Sequence, residues 1–162
     1  MIHRNSVVLA CAVGLAACDA GDAVTTRTVS TDSGAMTIAA PVAQGYGGLL
    51  NAVRASAGLR IATPDARLNA VAQRFAEDMV ARDYFGHTSP DGGTLVTRLA
   101  AAGYGQCGAA ENIAFGVSSP ETAHAMWMSS PPHRSAIHFS GNVAYGYGES
   151  AGKVVLVLAR PC

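Results

Sequence analysis

Two histidines of this chain lie in sequence contexts that suit chemistry. His87 lies among the turn-forming residues 84–93, and His133 directly follows the pair Pro131-Pro132. Each is expected just beyond the end of a helix and beside a Ser or Thr. Loops fixed by a rigid scaffold are where functional residues concentrate. We therefore take these two imidazoles as candidate metal ligands or acid–base groups.

The other histidines have contexts that favour ordinary roles. His3 lies in the N-terminal leader, His124 falls in the middle of a predicted helix, and His138 lies in a segment rich in Ser and Gly. For His124 and His138 we expect solvated or hydrogen-bonded side chains.

Glu111 is the acidic residue that we expect to join the two candidate histidines. A carboxylate beside two imidazoles can bind a metal ion or take part in proton transfer. The three residues are far apart in the sequence, so their spacing does not define a site as a local His-Glu-x-x-His helix would. The alternative is a structural cluster, in which Glu111 anchors its loop, Asn112 ties down local backbone and His133 forms a hydrogen bond across a cleft.

Serine chemistry is a further alternative. Ser130 lies three residues before His133, across the Pro-Pro pair. In such a mechanism Ser130 attacks, His133 acts as the base and Glu111 orients the imidazole. The short spacing makes contact between Ser130 and His133 possible but leaves the geometry of attack unconstrained.

Composition argues against nucleic-acid binding and against a membrane-spanning helix. The chain has 162 residues, of which 49% are hydrophobic, and its 11 basic and 11 acidic side chains give a formal net charge of zero. A neutral chain has no electrostatic footprint for nucleic acid. No stretch reaches the ~20 apolar residues that a membrane-spanning helix needs.

Residues 1–17 read as a secretory signal peptide. A positive start is followed by a short apolar run, which is typical of export signals and is excluded from fold reasoning. The run ends in Leu15-Ala16-Ala17-Cys18, which resembles the lipobox of bacterial lipoproteins. The resemblance implies that Cys18 becomes the lipid-modified first residue of the mature protein. The alternative is an ordinary signal peptide cut just after this point.

Residues 18–42 are predicted to be the lipidated cysteine and a flexible tether. The segment is rich in Ala, Thr, Ser, Asp and Gly and has no apolar periodicity, as expected of disordered chain. A flexible segment of this length has a reach of roughly 25–30 Å. Residues 43–162 are then the folded domain.

The cysteine count agrees with export. Cys11 lies in the signal peptide and Cys18 is the predicted anchor, so Cys107 and Cys162 remain as an even pair. In an exported protein such a pair favours a disulfide. The alternative is two buried free thiols.

Hydrophobic periodicity and turn residues predict an α+β fold, with helices first and strands last. The clearest helix opens at Thr63-Pro64-Asp65, with Thr63 as its N-cap. Residues 107–116 are expected to be a loop leading into a short strand. The remaining predicted elements are a first helix at 48–58, the Thr63 helix running to about 83, a third helix at 94–102, a fourth from 120 up to the Pro-Pro pair, and strands at 143–148 and 153–160, the last a central strand.

Short motifs spread over residues 45–162 occur in an order typical of one family. Together they resemble the bacterial branch of the CAP superfamily (cysteine-rich secretory proteins, antigen 5 and pathogenesis-related class 1 proteins), also called the SCP domain. The motifs are Asn51-x-x-Arg54 with Gly58-Leu59, Tyr84-Phe85-Gly86-His87 with Asp91-Gly92, Gly103-Tyr104, Glu111-Asn112-Ile113-Ala114-x-Gly116, Trp127-Met128-x-Ser130-Pro131-x-His133-Arg134, and Gly146-x-Gly148.

This resemblance implies a three-layer α-β-α sandwich around a small antiparallel sheet. It also implies a central cleft lined by two His and two Glu, which bind a divalent cation in some members. His87 matches the first His, Glu111 the first Glu and His133 the second His. Ser130 stands where the second Glu belongs, so one carboxylate of the set is missing.

The three remaining ligands match a Zn²⁺ site with an open water position, or a site for another divalent cation. Without the second carboxylate the cleft loses a negative charge and a candidate general base. We expect Asn112, Trp127 and Arg134 to support the cleft.

The function expected from these features is that of a membrane-anchored lipoprotein of the bacterial cell envelope, facing the periplasm or the exterior. Its domain is expected to be a monomeric, non-catalytic binding module for a lipid, glycan or protein ligand. No nucleic acid is expected, and membrane contact is through the lipid anchor only. The alternative function is a metal-assisted hydrolase of a peptide or envelope polymer that uses His87, Glu111 and His133.

Overall fold

The computed structural model describes the backbone of residues 39–162 and the side chains from residue 45 onward. The predicted signal peptide, the predicted anchor Cys18 and most of the predicted tether lie outside the described residues. The elements are α1 (Ala39–Ser56), β1 (Thr63–Pro64), α2 (Ala66–Ala81), α3 (Leu95–Ala101), β2 (Gln106–Phe115), α4 (Pro120–Ser129), α5 (Pro131–Ile137), β3 (Ala144–Ser150) and β4 (Lys153–Pro161).

The strands form one four-stranded sheet in the order β1-β3-β4-β2. β4 pairs antiparallel with β3 on one side and with β2 on the other, so the prediction of a central last strand is confirmed. The two-residue β1 pairs parallel with β3. The sheet is therefore mixed, whereas a purely antiparallel sheet was expected.

The two faces of the sheet carry separate hydrophobic cores. Along β4 alternate side chains point to opposite faces, and the buried residues divide accordingly between two clusters. One cluster joins the sheet to α1, α4 and α5, and the other joins it to α2 and α3. Helices thus cover both faces, which confirms the predicted α+β class and the α-β-α sandwich.

α2 lies directly against β3 at two glycines. An ideal Cβ at Gly146 would come under 3.0 Å from the backbone of Leu68, and one at Gly148 would come equally close to the backbone of Gln73. β1 covers only the first residues of the β3 edge. Further along that edge a side chain of α2 takes the place of a neighbouring strand, because Asn69 Oδ1 accepts a hydrogen bond from the Tyr147 backbone N–H (3.1 Å). The Gly146-x-Gly148 motif is therefore a helix-packing motif.

The Asn51-x-x-Arg54 motif fastens α1 to two later segments. The Asn51 side chain exchanges two hydrogen bonds with the backbone of Ala62. Arg54 is fully buried, and its guanidinium donates to the carbonyl oxygens of Ile137 (2.8 Å) and Phe139 (2.9 Å), which close the C-terminal end of α5. Burial lowers the pKa of Arg54.

Four predicted boundaries differ from the structure. α1 begins at Ala39 rather than near residue 48, inside the segment assigned to the tether. Thr63 is not an N-cap, because it pairs with β3; Asp65 caps α2 instead and accepts from the amides of its first turn. Residues 107–116 were expected to be a loop leading into a short strand, but strand β2 already begins at Gln106. The Pro-Pro pair ends α4 as predicted, but it also opens α5, where the missing N–H groups cost nothing.

A disulfide joins Cys107 to Cys162, with Cα atoms 5.0 Å apart. It connects the start of edge strand β2 to the end of central strand β4. The alternative of two free thiols is therefore wrong. Within the described residues, no helix is both long and apolar enough to cross a membrane.

Candidate functional site

Edge strand β2 divides the candidate residues between the two faces of the sheet. Side chains alternate along a strand, so the neighbours Glu111 and Asn112 point in opposite directions. Glu111 lies on the side of Ile113, which belongs to the α2–α3 core. Asn112 lies on the side of Ala114, which belongs to the core beneath α1, α4 and α5.

Glu111 and His87 are in direct contact. His87 Nδ1 lies 2.9 Å from Glu111 Oε1. The Glu111 side chain is 4% exposed and that of His87 is 56% exposed. The structure thus brings the predicted first His and first Glu together as a buried acid that holds an exposed imidazole.

Arg98, on α3, is a member of this site that the sequence analysis missed. Its guanidinium donates to Glu111 Oε2 at 2.7 Å and to the carbonyl oxygens of His87 (3.3 Å) and Gly93 (3.2 Å). It also stacks on the Phe75 ring, with 3.4 Å between Cζ and the ring centroid. One cation, whose side chain is 15% exposed, therefore fixes both the acid and the loop that carries the imidazole. The only signal in the sequence was its place on the helix that follows that loop.

The loop that carries His87 is held at its start by Lys153. The ammonium group of Lys153, a buried residue, donates to the carbonyl oxygens of Met79 (2.6 Å) and Tyr84 (2.9 Å). These carbonyls lie at and just after the C-terminal end of α2, where a positive charge is favourable. Within the loop, the amide of Ser89 donates to Gly93 O (2.9 Å).

The charges around His87 favour its protonated form. The hydrogen bond to Glu111 raises the pKa of His87, while burial and the nearby Arg98 act in the opposite direction and are outweighed. A raised folded-state pKa means that the His87–Glu111 contact stabilises the fold below the ordinary His pKa. That contribution is lost as the pH rises through the raised pKa.

We expect Glu111→Gln to lower the midpoint of the His87 titration, because the amide cannot stabilise the imidazolium as a carboxylate does. The measurement is a pH titration of the imidazole signals by NMR on metal-free protein. Glu121→Gln is the matched control, since Glu121 is exposed in the first turn of α4, and it should leave the midpoint unchanged. An unchanged midpoint in Glu111→Gln would contradict the assigned contact.

His133 lies on α5 and faces a different partner. Its Nδ1 is 2.8 Å from the hydroxyl of Ser130, and its carbonyl oxygen accepts from the Asn112 side chain (2.9 Å). Ser130 is the N-cap of α5, but its side chain makes no capping hydrogen bond, and Pro132 at the second helical position has no N–H to donate. The hydroxyl is therefore free to contact the imidazole.

The predicted support residues make backbone contacts around the candidate residues. Trp127 is almost fully buried, and its indole N–H donates to Ile113 O (3.0 Å), which ties α4 to β2. Arg134 donates to Met128 O (3.0 Å) near the C-terminal end of α4. Together with Asn112, these contacts fix α4 and α5 relative to the edge strand.

The donors do not form the three-ligand set that the resemblance implies. Among the residues that the structure describes, no group of three or more His, Cys, Asp or Glu side chains could hold a metal ion. Both oxygens of Glu111 are engaged, one of them by the cationic Arg98, and the ring of His133 contacts Ser130 rather than His87. As placed, these side chains do not fit a Zn²⁺ centre, and metal binding stays a prediction.

One further stretch has the pattern of a catalytic motif. Residues 148–152 read Gly-Glu-Ser-Ala-Gly, with Ser150 in the position of a hydrolase nucleophile. Such a nucleophile needs a sharp turn from a strand into a helix. Here Ala151 and Gly152 have positive φ and form the turn of the β3–β4 hairpin. Ser150 is therefore a hairpin residue, without the elbow geometry.

The α-β-α sandwich, with a His–Glu pair at the edge of its sheet, defines the class as an SCP-type domain. Residues 48–153 match the family model described as CAP, the cysteine-rich secretory protein family. The chain belongs to that family, which confirms the resemblance found in its motifs.

Two similar proteins come from species of Bacillus. The chain is 35% identical over 105 residues to the uncharacterized protein YkwD of Bacillus subtilis (strain 168), a match that covers 63% of this chain but only 40% of that protein. An extracellular protein containing an SCP domain from Bacillus anthracis str. Ames has a similar structure, with a TM-score of 0.72, 29% identity, and coverage of 79% of this chain and 45% of that one.

An outer surface protein of Borrelia burgdorferi shares the fold, with a TM-score of 0.65 and 17% identity over 74% of this chain and 92% of that one. A cysteine-rich secretory protein of Staphylococcus aureus also shares the fold, with a TM-score of 0.62 and 18% identity over 74% of this chain and 38% of that one. At these identities the likeness concerns the fold alone.

Proposed function

We propose that this chain is an exported protein of the bacterial cell envelope whose domain binds a ligand without catalysis at the His87 site. The His87 site consists of His87, Glu111 and Arg98. The observation that carries the proposal is the engagement of the Glu111 carboxylate by a guanidinium and an imidazole together. Both carboxylate oxygens are thus occupied, and the side chain is almost fully buried, so neither oxygen is presented to a substrate as a general base.

The exposed part of the His87 site is suited to binding. Because Nδ1 of His87 is held by Glu111, the second ring nitrogen is available as an N–H donor in the protonated ring. More than half of the side chain is exposed. An oriented donor of this kind fits an acceptor oxygen of a ligand, such as a hydroxyl, carbonyl or phosphate.

Exposed aromatic rings extend the surface near His87. Phe85 precedes His87 by two residues and is 48% exposed, and Phe115, at the end of β2, is 57% exposed. Their ring centroids are 5.9 Å apart. A polar donor near an aromatic surface suits the ligand classes expected from the sequence, namely lipid, glycan or protein.

The hydrolytic alternatives have less support. Metal-assisted hydrolysis requires His133 to join His87 and Glu111, but its ring contacts Ser130. The Ser130–His133 contact is the one observation in favour of serine chemistry. A triad also needs an acid that orients the base, and the acid proposed for that role, Glu111, contacts His87 instead.

Export is supported by the sequence and by the location of similar proteins, and anchoring by the sequence alone. The leader and the lipobox-like Leu15-Ala16-Ala17-Cys18 favour an anchor at Cys18. The similar protein of Bacillus anthracis is extracellular, and that of Borrelia burgdorferi is an outer surface protein. We therefore place the domain outside the cytoplasmic membrane, on a tether.

The binding experiment uses purified protein incubated with three separate targets: lipid vesicles, isolated cell-wall glycan and envelope proteins. We expect one target to retain the wild-type chain and His87→Ala to abolish that retention while the variant remains folded. His138→Ala, which removes a histidine from the C-cap of α5, is the matched control. Equal retention of His87→Ala, or His87-dependent cleavage of any target, would overturn the proposal.

The anchoring arm of the same experiment uses cell fractionation. Cys18→Ser should move the protein from the membrane fraction to the soluble or secreted fraction, because a lipid chain supplies the membrane affinity. Cys11→Ser, which changes a cysteine within the predicted signal peptide, should leave the protein membrane-bound. If Cys18→Ser still sediments with membranes, the proposed anchor is wrong.

A further inference from the structure

A cavity of about 320 Å³ lies between α2, the loop that follows it and α3. Its volume is at the lower end of the range of small-molecule sites, roughly 300–1,000 Å³. α2 contributes Val71, Arg74, Phe75 and Asp78, which repeat at helical spacing and therefore lie on one helix face. His87 and Glu111 are not among the lining residues, so the cavity lies beside the exposed imidazole and shares only Arg98 with the His87 site.

Among the charged groups that line this cavity, Arg74 has no ion-pair partner of its own in the described part of the chain. Asp78 and Asp91 are both paired with Arg82. Arg98 is paired with Glu111. The Nε of Arg74 donates to a carbonyl of its own helix, but within the described residues no acid forms an ion pair with the Arg74 guanidinium.

The remaining wall is apolar. Val71 and Phe75 from α2 are buried, and they face Ala101 and Ala102 of the α3 end across the cavity. The small alanine side chains leave the space open. Because Val71 and Phe75 are almost fully buried and Arg98 stacks on the Phe75 ring, a ligand would place its apolar group chiefly against Ala101 and Ala102 while its charged end reaches Arg74.

We propose that this cavity binds a single carboxylate carried on a small apolar group. One unpaired guanidinium matches one negative charge, and a carboxylate accepts a bidentate pair of hydrogen bonds from it. A phosphate monoester, with a charge of about −1.5 to −2, would carry more negative charge than Arg74 can match beside Asp78 and Asp91. The carboxylate comes either from a free acid or from the C-terminus of a peptide.

The test is an NMR titration of the purified chain with 3-phenylpropionate and with its neutral amide. 3-Phenylpropionate should shift the backbone N–H signals of Val71, Phe75 and Ala101. 3-Phenylpropionamide should bind roughly ten- to a hundredfold more weakly, because it cannot form the charge-assisted hydrogen bonds. A second pair, acetyl-Ala-Ala-Phe with a free and with an amidated C-terminus, tests the peptide source. A charge-dependent difference in either pair supports the site, and the pair that shows it identifies the source.

Variants distinguish binding in this cavity from non-specific binding of the acid elsewhere on the surface. Arg74→Gln should reduce the affinity for the acid to that for the amide, whereas Arg60→Gln, an equal loss of charge on another exposed arginine, should not. Ala101→Leu should weaken both ligands by filling the cavity. His87→Ala should leave binding unchanged, so failure of the proposed function would not affect the result. Equal binding of acid and amide, no effect of Arg74→Gln, or no shifts up to the solubility limit of the acid would overturn the proposal.

Discussion

Gly146→Ala should destabilise the domain by about 3 kcal/mol or more, which is at the upper end of overpacking effects. The added methyl group would overlap the backbone of Leu68 on α2. A backbone cannot rotate away as a side chain can, so α2 would have to move off β3 and would open the core that contains Phe75 and Met79. The measurement is equilibrium unfolding in urea, or the soluble yield if the variant does not fold.

Gly48→Ala is the matched control for this substitution. Gly48 lies on the exposed side of α1, with no atom within 4 Å of an added Cβ, and alanine favours a helix over glycine by about 1 kcal/mol. We therefore expect unchanged or slightly increased stability. If the unfolding free energy of Gly146→Ala lies within about 1 kcal/mol of the wild-type value, the close contact of α2 with β3 is wrong.

Reduction of the Cys107–Cys162 disulfide should lower the free energy of unfolding by about 4 kcal/mol. The bond closes a loop of 55 residues, and a loop of this length removes that much conformational entropy from the unfolded chain in the loop-entropy model. The loop contains three of the four strands, so the unfolded chain gains freedom throughout the part that forms most of the sheet. The expected observation is a lower urea midpoint in the presence of a reductant.

The double variant Cys107→Ser, Cys162→Ser provides the control. It should unfold like the reduced wild type, and the reductant should not change its midpoint. A wild-type midpoint that does not respond to the reductant, with free thiols confirmed by titration, would show that the bond contributes little to stability.

The parts of the fold that the sequence predicted well are those that carry their own local signals. α2 repeats apolar residues at helical spacing, and α4 begins at Ser119 with a proline in its first turn. β4 is apolar on both faces, as a central strand must be. These signals do not depend on the rest of the chain.

The parts that the sequence predicted poorly depend on distant partners. β2 contains Gly108-Ala109-Ala110, which has no alternation, and it is a strand because it pairs with β4. The local sequence at Thr63 is typical of a helix cap, but Thr63 is part of strand β1 because it pairs with β3. In both cases a tertiary contact overrides the local preference.

The candidate site shows the same division. The contact of His87 with Glu111 was expected from the family resemblance, and nothing in the spacing of the two residues predicted it. Arg98 belongs to no recognised motif, and its role depends on how α3 lies against β2. The local Ser130–His133 contact is possible from their spacing, but the turn of the ring toward Ser130 could not be predicted.

The loop that carries His87 is fixed at several points before any ligand arrives. Lys153 holds Tyr84 O, and Arg98 holds the carbonyl oxygens of His87 and Gly93. Ordering a free loop on binding loses conformational entropy for each residue fixed. This loop has already lost most of that freedom on folding. Association at His87 should therefore show a small entropic penalty and little change in backbone conformation, as in rigid, preorganised recognition.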